Sequence, residues 1–198
     1  PYCHNPELVI PSLFQDSLAE ASLFAFLEKR KGIIDAVTIT GGEPTLQPDL
    51  AALISRIKEL GYLVKLDTNG SQPNILNQLI EQRLLDYIAM DIKGPLNRYA
   101  EIVRAPMAFE DILKSVEIIL GSGVLYEFRT TVVESLLANE DFKQIGNLVE
   151  NARLYILQQF IPSKTLDPAF LKASAPSEAY LTAVKASLEK DIQRVEIR

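Results

Sequence analysis

Six short runs rich in β-branched and aliphatic residues recur along this chain, separated by stretches of helical periodicity. This rhythm limits the fold more than any other feature. The runs predict strands over residues 36–40, 63–67, 87–92, 125–133, 154–161 and 194–197. Between them apolar residues fall three and four apart, as in Leu50, Leu53, Ile54, Ile57 and Leu60, which predicts helices. Similar stripes run from Ile75 to Ile80, from Phe109 to Leu120 and from Phe142 to Val149, with weaker ones around Leu18–Leu27 and Ala179–Leu188. Gly61 and Gly121 stand where helix C-caps are expected. Strand–helix alternation buries a parallel sheet beneath its crossover helices, with right-handed connections.

An open doubly wound sheet and a curved one both satisfy that rhythm. The polar residues separate them. Gly41-Gly42-Glu43, Asp67-Thr68-Asn69, Asp91-Ile92-Lys93, Arg129-Thr130-Thr131 and Gln158-Gln159 lie at or near the C-terminal ends of five predicted strands. In a βα barrel those ends meet at one mouth. The expectation is an α/β chain, a partial (β/α)6 TIM-like barrel of parallel strands, forming one domain over residues 1–198. Residues 162–176 are the one long loop, a lid or a surface wrap.

Composition narrows the partners. The formal charge of −6 opposes the basic face that nucleic-acid binding requires. No apolar run approaches the roughly 18–20 residues of a membrane span. One cysteine forms no internal disulfide and suits a reducing cytoplasm. The expectation is a cytoplasmic protein with neither nucleic acid nor membrane as partner.

Each motif has an ordinary reading. A lone Cys3 is commonly a small inert hydrophobe. In Thr40-Gly41-Gly42-Glu43-Pro44 the glycines permit a tight turn and close approach to a ligand, and Glu43 is expected beside a helix start with its carboxylate free. Asp67-Thr68-Asn69-Gly70 reads as an Asx-rich turn. Asp67 and Asp91, at neighbouring strand ends, repel unless something positive lies between them. Arg129, beside Phe128 on a core strand, is costly to bury without a partner.

Pro1-Tyr2-Cys3-His4-Asn5-Pro6-Glu7-Leu8 resembles the end of the C-x3-C-x2-C motif of radical S-adenosylmethionine (SAM) enzymes. The form is that of the activating enzymes for anaerobic ribonucleotide reductase and pyruvate formate-lyase. Gly41–Pro44 resembles the family's second hallmark, and the later motifs follow in order over essentially the whole chain. The resemblance implies that Cys3 is the third cysteine of a [4Fe–4S] cluster, with the other two upstream of Pro1, so an N-terminal truncation that removes the barrel's first strand and the cluster loop is expected. Thiolates hold such clusters. Three on four irons leave one iron for SAM, whose reductive cleavage gives a 5'-deoxyadenosyl radical that abstracts hydrogen. The cofactors carry that chemistry.

By the same resemblance Gly41, Gly42 and Glu43 bind SAM, with Glu43 accepting from its ammonium group. Lys93 and Arg129 face the SAM carboxylate. Tyr2 packs on the adenine or, equally, in the core. Asp67, Thr68, Asp91 and the carbonyl of Met90 hold a monovalent cation. His4, the only histidine, makes a supporting hydrogen bond near the cluster loop. One of Gln158 and Gln159 points inward by strand alternation. The implied reaction abstracts hydrogen from a backbone glycine of a glycyl-radical enzyme, an anaerobic ribonucleotide reductase being favoured. Flavodoxin or ferredoxin would supply the electron, and no protein residue beyond the cofactors need be catalytic. Two alternatives stand beside this. One is a radical SAM enzyme acting on a small molecule, since 7-carboxy-7-deazaguanine synthases share Gly-Gly-Glu-Pro. The other is a non-catalytic βα-barrel remnant. With one cysteine the chain by itself is expected to be inactive.

Overall fold

The computed structural model describes residues 1–105 and 108–198. Its strands are β1 (Ala36–Ile39), β2 (Leu63–Thr68), β3 (Tyr87–Asp91), β4 (Leu125–Val132), β5 (Tyr155–Gln159) and β6 (Val195–Ile197). Each lies within two residues of its expected bounds. Helix α1 (Glu20–Arg30) precedes β1, and α2 (Leu50–Glu59) and α3 (Pro73–Glu81) follow β1 and β2. Helices α4 (Tyr99–Val103) and α5 (Phe109–Gly121) connect β3 to β4, and α6 (Asn139–Leu148) and α7 (Glu178–Leu188) complete the set. Only α4 lies outside the expected stripes: five residues are too few to display a period.

All strands pair in parallel, and their order in the sheet is their order in the chain. A doubly wound sheet reverses its strand order at a switch point. None occurs here, so right-handed crossovers place the helices on one face. The expected partial-barrel sheet is thus present, and it is open, with β1 and β6 as its edges. Gly61, at φ +92°, ends α2 as expected. Gly121 does not cap: it is the last residue of α5, and the left-handed turn falls on Gly123 at φ +73°.

Alternation along the strands sorts the residues. Val64, Leu66, Ile88, Met90, Phe128 and Val132 are fully buried in the core with the helices. On the other face stand Lys65, Asp67, Asp91, Glu127 and Arg129. A barrel interior is ordinarily filled by branched apolar layers; this inner face is charged instead. No helix among the described residues is long and apolar enough to cross a membrane.

Candidate functional site

Glu43 is not the free carboxylate expected. It is nine-tenths buried and takes four hydrogen bonds. Oε1 accepts from Thr45 N at 3.2 Å, Thr45 Oγ1 and Thr68 Oγ1 at 2.8 Å, and Oε2 accepts from Asn69 N at 2.6 Å. The carboxylate therefore stitches the end of β1 to the end of β2. Gly42 and Gly70 serve close packing near it, whereas a Cβ on Gly41 would meet nothing within 4 Å. An added Cβ on Gly42 would meet the Leu8 carbonyl oxygen at 2.5 Å, so the N-terminal segment packs closely against this turn. Gly70, at φ +77°, would drive a Cβ to 2.1 Å from Met90 Cε. Gly70→Ala is expected to lose about 2–3 kcal/mol of stability from strain and overpacking together, read by urea unfolding; a loss below about 0.5 kcal/mol would mean that the turn relaxes freely.

Asp67 and Asp91 converge as the sequence suggested, and the positive charge between them is Arg129. Its Nη2 lies 3.2 Å from Asp67 Oδ2, and its Nε donates to Asp91 Oδ1. Lys93 Nζ donates to Asp91 Oδ2 at 2.8 Å. Burial pushes the Asp91 carboxyl up, but Lys93 and Arg129 outweigh it and hold the carboxyl below its ordinary value. Burial likewise opposes charge on Lys93, and Asp91 beside it keeps its pKa above the ordinary value. Asp67 Oδ1 is buried without a hydrogen bond from any described residue; Lys65 Nζ stands 3.4 Å away but out of line.

A second tier beneath these was not anticipated. Lys65 lies 3.6 Å from Glu127 Oε1, Tyr87 Oη donates to Glu127 Oε2 at 3.2 Å, and Arg198 reaches the same oxygen at 3.3 Å. Burial first, then Glu127, pushes the Tyr87 phenol up to about 12. Ala89 pairs in register with Asp67 on one side and Glu127 on the other. Its small side chain leaves room for the long residues to cross. Strand alternation would have found this tier: Lys65 is two residues from Asp67, and Glu127 two from Arg129.

The remaining expected residues are distributed as follows. Tyr2 is buried, edge-on to Phe160 and tilted against Phe170, and its hydroxyl has no partner among the described residues. Lys93 Nζ lies 5.8 Å from its ring centre. Cys3 is half-buried, and its Sγ accepts from Asn5 N at 3.4 Å. His4 Nε2 donates to the Ile161 carbonyl at 2.8 Å, and its ring stacks on Phe160. The Met90 side chain turns to the core. Gln158 is the inward glutamine, beside Thr131; Gln159 turns away toward the Pro176 carbonyl.

Tyr2, Cys3, Gly41, Gly42, Glu43, Asp67, Thr68, Asp91, Lys93, Arg129 and Gln158 line one cleft of about 440 Å³. It mixes a carboxylate cradle, two cations and an aromatic ring, which suits a charged, partly apolar ligand. The donor set for an iron–sulfur cluster is incomplete. Clusters need several thiolates, Cys3 is single, and among the described residues no three Cys, His, Asp or Glu side chains gather to hold a metal.

Similarity to known proteins runs along most of the chain. A protein of Methanocaldococcus jannaschii, provisionally named a glycyl-radical enzyme activating enzyme, is 35% identical over 203 residues, which cover 100% of this chain and 83% of that protein. A 7-carboxy-7-deazaguanine synthase of Thermococcus kodakarensis is 30% identical over 135 residues, covering 68% of this chain and 51% of the enzyme. In fold, a crystallised domain of a pyruvate-formate lyase-activating enzyme from Bacteroides vulgatus superposes with a TM-score of 0.65 at 17% identity, over 83% of this chain and 99% of that one. The family model for the radical SAM superfamily matches residues 1–151, and the chain belongs to that superfamily.

Proposed function

We propose that this chain is the SAM-binding part of an activating enzyme that places a radical on a backbone glycine of a partner protein, an anaerobic ribonucleotide reductase first among the candidates. The observation that carries the reading is the convergence of Cys3, Glu43, Lys93 and Arg129 on one cleft. The relative from M. jannaschii supports the glycyl-radical branch, because its similarity runs the length of the chain. A flavodoxin or ferredoxin in the cytoplasm would serve as electron donor.

SAM fits the cleft. Glu43 Oε2 accepts one protein hydrogen bond and has a lone pair left for an ammonium group. Lys93 and Arg129 would take the carboxylate, and the Tyr2 ring the apolar side of the ligand. Asp67, Asp91, Lys93 and Arg129 already cancel in charge, so a further carboxylate gains little there. A monovalent cation at Asp67 Oδ1 and Asp91, with Thr68 and the Met90 carbonyl, would release Arg129 toward it. When cleaved reductively, SAM supplies the radical that removes hydrogen; the residues named bind and orient it.

The test joins a Cys-x3-Cys segment directly before Pro1. This version is expected to hold one [4Fe–4S] cluster, and the chain alone is expected to hold none. Mixed with SAM, a reductant and the ribonucleotide reductase, it is expected to give an electron paramagnetic resonance doublet that collapses when the glycine is α-deuterated. If SAM is cleaved but neither that partner nor a pyruvate formate-lyase acquires the radical, the small-molecule reading replaces this one. Exchanging potassium and sodium for a bulky organic cation is expected to weaken SAM binding by calorimetry; unchanged affinity removes the cation from the proposal.

A further inference from the structure

The long loop is not a lid over the mouth: it grips the segment that carries Cys3. Leu166 N donates to the Cys3 carbonyl at 2.9 Å, and Asp167 N to the Pro1 carbonyl at 2.8 Å. These two bonds flank Tyr2, whose ring is held between Phe160 and Phe170. His4 closes the far side, bonded to the Ile161 carbonyl and stacked on Phe160. Residues about 160 apart in sequence thus form one small unit.

That unit is anchored from outside by Arg104. Its Nη1 donates to Asp167 Oδ2 at 2.6 Å, and its guanidinium lies 5.7 Å from the centre of the Phe170 ring. Arg104 caps α4 in the left-handed conformation, at φ 55°, so its backbone is fixed for this reach. Helix α4 itself is tied to the strand end of the site, because Tyr99 Oη accepts from Lys93 N at 3.3 Å. Contacts therefore run from Lys93 through α4 and Arg104 to residues 160–170 and on to Cys3.

We propose that residues 160–170 form a clamp that fixes the position of Cys3 relative to the Asp91–Lys93 strand end, with Arg104, Asp167 and Phe170 as positioning residues. What the clamp does for function rests on the reading of Cys3 as a cluster ligand; its action on Cys3 does not. Two backbone bonds and two ring contacts hold the Cys3 backbone before any iron binds. Asp167 also accepts from Ala169 N at 2.9 Å, so the turn that presents its own amide is braced from within.

Cys3 is the only cysteine, so its alkylation by iodoacetamide reports on this segment alone. In native buffer the thiol is expected to react more slowly than in urea. Arg104→Gln and Phe170→Ala are each expected to raise the native rate about fivefold, the factor lost with one net hydrogen bond or ring contact. Lys143→Ala, at an exposed pair far from the clamp, is expected to change it less than twofold. A purely structural role would not raise the rate while the thermal midpoint and the exchange of β3 amides stay at their original values. Arg104 is largely exposed, so its variant folds even if the Phe170 variant does not. A native rate equal to that in urea, or an Arg104→Gln rate unchanged, overturns the clamp. A failure of the extended protein to hold a cluster would overturn the reading of Cys3 and leave these rates standing.

Discussion

Glu43→Ala is expected to cost about 3 kcal/mol or more of folding stability, because one buried carboxylate satisfies four donors. Bonds to a charged acceptor contribute about 1.5–3 kcal/mol each, and they do not add fully when they share one group. Truncation leaves Thr68 Oγ1 and the amides of Thr45 and Asn69 without their partner, two of those residues being buried. Urea unfolding should show a lower midpoint at unchanged slope, since the damage is local to the β1 and β2 ends. Glu43→Gln separates structure from ligand binding. Its amide keeps one acceptor oxygen but turns an NH2 toward either Asn69 N or the threonines, costing about 1–2 kcal/mol. The Gln variant should stay folded and lose affinity for SAM, because the charge that attracts an ammonium is gone. A stability loss below about 1 kcal/mol for the Ala variant would show that the strand ends hold without this stitch. Unchanged SAM affinity in the Gln variant would remove Glu43 from the binding site.

The strands were legible because each carries its information locally. Short runs of β-branched and aliphatic residues, the first three ended by Gly, Asp or Asn, appear the same in sequence and in space. The polar residues at strand ends were legible for the same reason, and one sheet with an unreversed strand order brings them together. What the sequence hid lies in contacts between distant residues. Glu43 looks free until β2 brings Thr68 and Asn69 beside it. The loop at 162–176 has no local mark of its partner, since its hydrogen bonds end at Pro1 and Cys3. The Lys65–Glu127 tier is a different case. Its residues sit at two-residue spacing from Asp67 and Arg129, on the same face of their strands, and lie mid-strand with no turn residue beside them to mark them.

Arg129→Met is expected to cost about 2–3 kcal/mol at pH 7, with a dependence on pH that identifies its charge as the cause. The figure is below the 3–5 kcal/mol of a fully buried pair, because the Asp91 side chain keeps 25% of its exposure and Lys93 remains beside it. In the folded protein burial raises the Asp91 pKa, and Lys93 with Arg129 more than reverses this, leaving it depressed. A depressed carboxyl adds stability above its unfolded pKa, about 3.9, and loses that contribution as pH falls through the folded value. Removing Arg129 weakens the depression. The gap between the original protein and the variant should therefore be full above about pH 5, begin to narrow below about pH 4 as Asp91 takes up its proton in the variant, and close only when pH falls through the depressed value of the original protein. The acid limb of the variant's stability curve should lie at higher pH. Urea titrations from pH 3 to 7 read both effects. Arg129→Lys should recover only part of the loss, since a single ammonium does not reach Asp67 and Asp91 at once as the guanidinium fork does. A gap that stays constant across the range would assign the role of Arg129 to packing rather than to the charge it places between two carboxylates.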